Sequence, residues 1–328
     1  MTSPINARAS AARVVALYES ILGTDVDTLI RILSETGTDT VFRAYFRWNP
    51  DTPSTYSTLQ SVVSKVHAGL PQVTLMGGLT AAAFTPADHW PDGAALSAEE
   101  VGNIAWTLPN GAAARHVTDP SKYVFDITKP LARQFILAYA YKLLDTGFGS
   151  LFFDEVNYIP YHGHQANAPY IDAWRQIVSA LKDYALARYG KALPVAMNGG
   201  WSTVWPCQDF ITVSASMATV TSQTMRDNWD DFKSRVMQVH GHLPPIMYFI
   251  DWGGIPTPLS AFASLSQSEQ IKMIRLLHET SLREHVLFVY PLHGGVIAKN
   301  PTRKYDAIQQ GTYDTIKQLT TTPVQGVQ

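Results

Sequence analysis

The chain has 328 residues, of which 46% are hydrophobic and 16% charged, a composition typical of a globular protein with a substantial core. Its 25 basic and 27 acidic residues nearly cancel, and no Lys/Arg stripe is visible, so nucleic acid is not an expected partner. The single cysteine, Cys207, excludes an intramolecular disulfide and argues against a cysteine-based zinc site.

The N-terminal sequence, Met1 to Ser20, lacks the apolar stretch and small-residue cleavage site of a secretory signal. No window approaches the roughly 20 apolar residues that a membrane-spanning helix needs, so no membrane partner is expected. We therefore expect a soluble, cytoplasmic protein, while noting that a secreted protein with its signal removed would have the same sequence.

Short apolar runs alternate with longer amphipathic segments along the chain, which is the pattern of parallel βα units. The eight predicted strands are Val14 to Tyr18, Val41 to Arg47, Val73 to Met76, Leu151 to Phe153, Leu193 to Met197, Phe210 to Val213, Ile246 to Ile250 and Val286 to Tyr290. Helices are predicted from Asp25, from Ser54 to Val66, from Pro130 to Leu144, and over Tyr170 to Tyr189, Gln223 to Val239, Ser266 to Leu282 and Tyr305 to Leu319.

Eight strands with interleaved helices predict an α/β fold, a single (β/α)8 TIM barrel spanning residues 1 to 328. The spacing is interrupted once, by a long insertion after the third strand, from Gly77 to Thr128. A loop that follows a barrel strand lies on the catalytic face, so we expect this one to wall the substrate cleft. A polar tail, Thr320 to Gln328, closes the sequence.

Polar and aromatic side chains follow most of the predicted strands, at the ends that share one mouth in this architecture. Those predicted to form the site are Glu19, Arg47, Trp48, Asp154, Glu155, Tyr158, Asn198, Trp201, Asp251, Trp252 and His293. Glycoside hydrolysis requires one carboxyl group that protonates the leaving oxygen and a second that attacks the sugar or activates water. We assign catalysis to Asp154, Glu155 and Asp251 and substrate binding to the others, with the tryptophans stacking on sugar rings and Asn198 binding a hydroxyl group.

Each of these residues has a structural alternative. A carboxylate directly after a buried strand is often a helix cap or an ion-pair partner; this is the favoured role for Glu19, and Asp251 has Arg43 or Arg47 as possible partners. Asp154 is the best placed, because the run before it defines a strand. Successive strand residues point to opposite sides, so Glu155 reaches the site only if the strand ends between the two. For the tryptophans the alternative is core or loop packing.

Other site chemistries find less support. Neither His162-Gly163-His164 nor His240-Gly241-His242 follows the first strand, and no further cluster completes a metal site, so no metal or other cofactor is expected. No Gly-x-Ser-x-Gly elbow indicates a serine nucleophile. The glycine pairs at 199, 253 and 294 have no helix directly behind them to bind phosphate.

The segment Gly147 to Asn157 resembles the fourth-strand signature of several retaining glycosidase clans. The α-amylase and α-galactosidase clans usually carry Arg or Lys two residues before the catalytic Asp, whereas this chain has Phe152. The apolar form ending in Asp-Glu is more similar to the barrels of spherulin-4-like proteins and related galactosaminidase families. That resemblance implies that Asp154 and Glu155 lie in the active site.

The sequence thus predicts a glycoside hydrolase acting on an oligo- or polysaccharide without a cofactor. We expect Asp154 to be the nucleophile or stabilising carboxylate and Glu155 or Asp251 the general acid. The alternatives are a non-catalytic carbohydrate-binding barrel and a barrel lyase or metal-dependent hydrolase. Sugar identity, stereochemistry and oligomeric state do not follow from the sequence.

Overall fold

A closed barrel of eight parallel strands forms the centre of the molecule. The computed structural model describes residues 14–48, 50–116, 119–156, 168–198, 206–251, 258–294 and 305–322. The barrel strands are β1 (Val15–Tyr18), β2 (Thr40–Arg47), β3 (Thr74–Thr80), β6 (Ser150–Asp154), β7 (Val195–Met197), β8 (Phe210–Ser214), β9 (Ile246–Phe249) and β10 (Leu287–Gly294). Each pairs in parallel with the next, and β10 pairs in parallel with β1, so the sheet has no open edge there. The predicted (β/α)8 barrel is confirmed.

The helices lie on the outside of the barrel and, except for the last, between the strands in sequence. They are α1 (Val26–Glu35), α2 (Pro53–Gly69), α3 (Ala98–Ile104), α4 (Pro130–Thr146), α5 (Ala168–Tyr189), α6 (Met217–Ser222), α7 (Trp229–His240), α8 (Pro258–Ala263), α9 (Gln267–Glu284) and α10 (Tyr313–Thr321). Local sequence sets several of their ends: the Asp25 side chain caps α1, a capping box at Ser266 starts α9, and Pro130 opens α4. No helix in the described ranges is long and apolar enough to cross a membrane.

Several predicted boundaries were wrong, among them the end of β10, which continues past Tyr290 to Gly294. Strand β3 continues through the two glycines after Met76 to Thr80, pairing with β6 along this stretch, so the segment predicted as a loop from Gly77 starts later. Tyr305 and Asp306, predicted to begin a helix, form the short strand β11 antiparallel to β10, and α10 starts only at Tyr313. The helix predicted over Gln223 to Val239 begins only at Trp229, as α7, and the separate short helix α6 ends just before the predicted range.

Residues 81 to 129 connect β3 to α4. They contain α3 and a two-stranded antiparallel sheet of β4 (Ala83–Phe84) and β5 (Tyr123–Val124). The rings of Phe84 and Phe125 stack at 4.9 Å, and Phe125 packs against Phe135 of α4 at 6.0 Å. This connection therefore has its own apolar core, continuous with that of the barrel shell.

Strand alternation divides the barrel core into two parts. On β6, Phe152 points into the barrel, whereas Leu151 and Phe153 point out toward the helices. Phe153 contacts Trp174 of α5, with ring centroids 5.4 Å apart. The interior itself is packed with apolar side chains, among them Phe42 and Phe249 at 5.0 Å between ring centroids. The barrel is therefore filled, and any site has to lie at one of its ends.

Candidate active site

A layer of polar side chains lies on the apolar interior, at the C-terminal ends of the strands. It consists of Glu19, Arg43, Asp154, Asn198 and Asp251, and we call it the polar layer. Period-two alternation explains the position of Asp154, which follows the interior residue Phe152 by two positions. Glu19, Asn198 and Asp251 likewise stand two positions after an apolar residue of the barrel interior. The sequence pattern thus directs all four into the mouth of the barrel.

Arg43 enters the polar layer through a bulge in β2. Its φ of 54° is left-handed, and the pairing of β2 with β3 shifts register between Val41 and Tyr45. The side chain is only 2% exposed, and its guanidinium lies over the Phe46 ring, 4.5 Å from the centroid. A fully buried cation of this kind has to be compensated by carboxylates.

Three carboxylates compensate it. Nη2 of Arg43 lies 2.7 Å from Oε1 of Glu19, and Nη1 donates to Oδ1 of Asp251 at 2.9 Å. Oδ2 of Asp154 is more distant, at 3.9 Å from Nη2. The predicted pairing of Asp251 with an arginine therefore occurs, and it uses Arg43, inside the site rather than away from it.

Asn198 joins the two aspartates. Its Nδ2 group donates to Oδ1 of Asp154 at 2.9 Å and to Oδ2 of Asp251 at 3.2 Å. Both acceptors bond to one nitrogen, so they can be no farther apart than the sum of those distances. Asp154 and Asp251 consequently form a carboxyl pair, held from one side by an amide and from the other by a guanidinium.

The two members of this pair have different electrostatic surroundings. Burial, together with the nearby charges of Asp251 and Glu155, raises the pKa of Asp154 to about 7, against the lowering effect of Arg43 and Asn198. Asp251 has the shorter contact with Arg43, which favours its carboxylate form. Oδ1 of Asp154 already accepts from Asn198 and from the backbone N–H of Glu155, so a proton on Asp154 resides on Oδ2.

Glu155 leaves the strand direction as soon as β6 ends. Its φ is 55°, and its side chain is 35% exposed, with Oε2 3.5 Å from Nε2 of the buried His116. The left-handed turn is the change of direction that Glu155 needs in order to lie on the same side as Asp154. The structure brings Glu155 to the edge of the polar layer rather than into it.

Backbone strain is concentrated at this site. Four non-glycine residues of the described chain have a left-handed φ. Gln223 and His285 follow helices as C-caps, where this conformation is usual. Arg43 and Glu155 have no such role, and both belong to the site. Strained residues of this kind cluster at functional sites because the surrounding structure has to hold them there.

Trp48 forms part of the wall beside the polar layer, packed on the barrel interior. Nζ of Lys122 lies over its ring, 4.2 Å from the centroid, and His116 meets its edge at 5.8 Å. Lys122 is 3% exposed, and burial lowers its pKa to about 8. His116 and Lys122 belong to the connection between β3 and α4, which therefore contributes to this wall.

The structure places Arg47 on the other side of β2, away from the polar layer. It is 4% exposed and lies over the Tyr139 ring of α4, 3.6 Å from the centroid. Its positive charge is compensated by the carboxylates of Asp88 and Asp51. This position favours a structural role over the predicted contact with substrate.

His293 is half-buried next to Glu19. Its Nδ1 atom lies 2.6 Å from the Glu19 carbonyl oxygen, which can only accept, so Nδ1 carries the proton. Its ring stacks on Tyr18 at 5.0 Å. Of the remaining predicted site residues, Tyr158, Trp201 and Trp252 lie outside the described residues.

Within the described ranges, no group of three or more His, Cys, Asp or Glu side chains is arranged to hold a metal ion. His162 and His164 lie outside these ranges. His242 contacts the carbonyl oxygen of His240 through Nδ1 at 3.1 Å, and the two rings meet edge to face.

Three residues of the site were not predicted as such. The sequence identifies Arg43 only as a possible ion-pair partner, although a lone charge within the run VFRAYF is a visible signal. His116 and Lys122 gave no signal, because only tertiary packing brings them beside Trp48.

Comparisons with known proteins agree on the fold. No family model and no curated protein matches the sequence. The glycoside hydrolase domain of PelA from Pseudomonas aeruginosa is similar in structure, with a TM-score of 0.52 and 15% identity over 86% of this chain and 95% of that one.

Two further glycosidase structures are similar. The GH31 dextranase of Flavobacterium johnsoniae, solved with isomaltotriose, has a TM-score of 0.57 and 12% identity over 96% of this chain and 39% of that one. Amy13B of Eubacterium rectale has a TM-score of 0.51 and 11% identity over 94% of this chain and 76% of that one. This chain has the barrel fold that these glycoside hydrolases also have.

Proposed function

We propose that this protein is a glycoside hydrolase that cleaves an oligo- or polysaccharide with the carboxyl pair Asp154 and Asp251. The observation that carries the proposal is the pair itself: two carboxyl groups bridged by Asn198, one beside a buried arginine and the other with a pKa of about 7. Two carboxyl groups with different proton affinities are what glycosidic cleavage requires. The barrel fold, shared with known glycosidases, supports it.

The environments favour a division of roles that reverses the one expected from the sequence. Asp154 retains a proton near neutral pH and is the general acid that protonates the leaving oxygen. Asp251, ionised beside Arg43, is the nucleophile or the carboxylate that stabilises the oxocarbenium-like transition state. Glu155, more exposed at the edge, contacts the substrate.

The wall formed by Trp48 lies beside groups that suit a sugar ring. Nζ of Lys122 covers one face of the indole, so a pyranose would pack on the apolar surface that Lys122 leaves open, and the amide of Asn198 and the carboxylate of Glu155 are partners for hydroxyl groups. The segment that carries His116 and Lys122 lines this part of the cleft.

A substrate screen tests the proposal. The wild-type protein and Asp154→Asn are incubated with chromogenic glycosides and polysaccharides, and both binding and released sugar are measured in each sample. We expect release by wild type alone, together with binding by both proteins. Binding without release by wild type on every substrate would instead indicate a carbohydrate-binding barrel, and activity abolished by a chelator would indicate a metal-dependent hydrolase.

A further inference from the structure

Glu19 is the most deeply buried carboxylate of the polar layer. It is 1% exposed, compared with 7% for Asp154 and 8% for Asp251. Its backbone is fixed to β10, because its N–H donates to the His293 carbonyl oxygen at 2.9 Å and its own carbonyl oxygen accepts from His293 Nδ1. The side chain is directed at Arg43 inside the polar layer.

The three carboxylates of the polar layer are not equally close to Arg43. Among the described residues, this layer contains one cation and three carboxylates. Glu19 is 2.7 Å from Nη2 and Asp251 is 2.9 Å from Nη1, so each terminal nitrogen already has a close carboxylate. Asp154, at 3.9 Å, makes the most distant contact.

We propose that Glu19 is a positioning residue that keeps one proton on the Asp154–Asp251 pair by occupying Arg43. With Glu19 and Asp251 ionised, Arg43 is already overcompensated by one negative charge. Ionising Asp154 would add a second negative charge in a buried volume, so Asp154 holds its proton. Burial of Asp154 and the charges of Asp251 and Glu155 raise its pKa in the same direction, while Arg43 and the uncharged Asn198 amide act against it.

Replacing Glu19 by glutamine would remove one of these negative charges without changing the size of the side chain. With both Asp154 and Asp251 ionised, the variant layer would have one net negative charge. The wild-type layer has this same charge when one of the two aspartates is protonated. A nearby like charge disfavours the carboxylate form, so its removal lowers the pKa of Asp154. The Glu19→Gln variant therefore loses the proton donor at neutral pH.

The proton itself can be measured without any substrate. The full-length protein is labelled with aspartate carrying 13C at the carboxyl carbon, and the carboxyl resonance absent from Asp154→Asn is followed with pH. We expect a midpoint near pH 7 in wild type and a midpoint lower by at least about one pH unit in Glu19→Gln. Glu19→Asp, which keeps the charge, should titrate much closer to wild type than Glu19→Gln does.

Two results would overturn the inference. One is the same midpoint in Glu19→Gln as in wild type. The other is an equal shift in Glu19→Asp and Glu19→Gln, since a shift that ignores charge reflects packing alone. Asp209→Asn, which removes a carboxylate at the opposite end of the barrel, serves as the control and should leave the midpoint unchanged.

The use of this proton in catalysis rests on the proposed function, but its location does not. A shifted midpoint without hydrolysis of any glycoside would uphold the role of Glu19 and refute the proposed function. Hydrolysis with an unshifted midpoint would do the reverse. If Glu19→Gln does not fold, Glu19→Ser, which also removes the charge, takes its place in the same titration, and a midpoint unmoved in that variant would refute the inference.

Discussion

Arg47 donates a hydrogen bond to Oδ1 of Asp88 at 2.5 Å, and both side chains are almost completely buried. Arg47 is the last residue of β2, and Asp88 belongs to the connection between β3 and α4. The same guanidinium stacks on Tyr139 and lies 3.6 Å from Asp51. This contact holds the connection against the barrel and so fixes the wall that carries His116 and Lys122.

The first prediction concerns this contact. Asp88→Ala leaves Arg47 buried with only the more distant Asp51, and breaking a buried ion pair in this way costs about 3 to 5 kcal/mol. The free energy of unfolding is measured by urea denaturation. Asp92→Ala, an exposed position of the same connection, is the control and should cost less than about 0.5 kcal/mol. Equal losses in the two variants would contradict the role given to Arg47.

The second prediction concerns the pH dependence of stability. The pKa of Asp154 is about 7 in the folded protein, above its ordinary value of 3.8, so between these limits the folded state binds more protons than the unfolded state. Stability from this group is present below pH 4 and is lost as pH rises toward 7. Asp154→Asn cannot lose stability in this way. Its free energy of unfolding relative to that of wild type should therefore rise by about 2 to 4 kcal/mol between pH 5 and pH 8.

Chemical denaturation of both proteins at several pH values measures this difference. A relative stability that does not change with pH would show that Asp154 titrates as an ordinary exposed aspartate. A relative stability that changes in the opposite direction would show that the folded state favours its carboxylate.

The third prediction is a pH–rate profile. A general acid acts only when protonated, so kcat/KM should fall above pH 7, by about tenfold for each further pH unit. Rates on one glycoside from pH 5 to pH 9 provide the measurement. A rate that stays constant up to pH 9 would assign the acid to another group.

Stereochemistry gives the fourth prediction. The facing oxygens of Asp154 and Asp251 are bonded to one nitrogen at 2.9 and 3.2 Å. Their separation therefore falls below the roughly 6.5 to 9.5 Å of inverting enzymes and suits the approximately 5 Å of retaining ones. Proton NMR of the first product formed should show the anomer of the substrate, and the opposite anomer would contradict the short spacing.

The fold was predictable because strand patterns are local. All eight barrel strands were located from apolar runs such as Leu151 to Phe153, since strands buried on both faces need such runs. The errors arose where the local sequence pattern differs from the strand pairing in the structure. Gly77 and Gly78 resemble a loop in sequence, yet they pair with β6 as part of β3. Tyr305 begins an amphipathic pattern, yet it pairs with β10.

Site residues were predictable only where the alternation of side chains along a strand decides whether they point into the barrel. Asp154, Asn198 and Asp251 come together because each stands two positions after an interior residue. Arg43 departs from this rule through a bulge, and the same alternation should have placed Arg47 outside the barrel. The proximity of His116 to Glu155 depends on how the connection between β3 and α4 folds, which no local pattern encodes.

The most direct test of the account is the turnover of one glycoside by Asp154→Asn and Asp251→Asn, with Asp209→Asn as the matched control. The three aspartates have similar side-chain exposure, but Asp209 bonds to Lys182 and to the backbone at the opposite end of the barrel. We expect kcat/KM to fall at least about a hundredfold in the first two variants and to stay close to wild type in the third. Turnover near that of wild type in Asp154→Asn or Asp251→Asn would contradict the assignment of this carboxyl pair to catalysis.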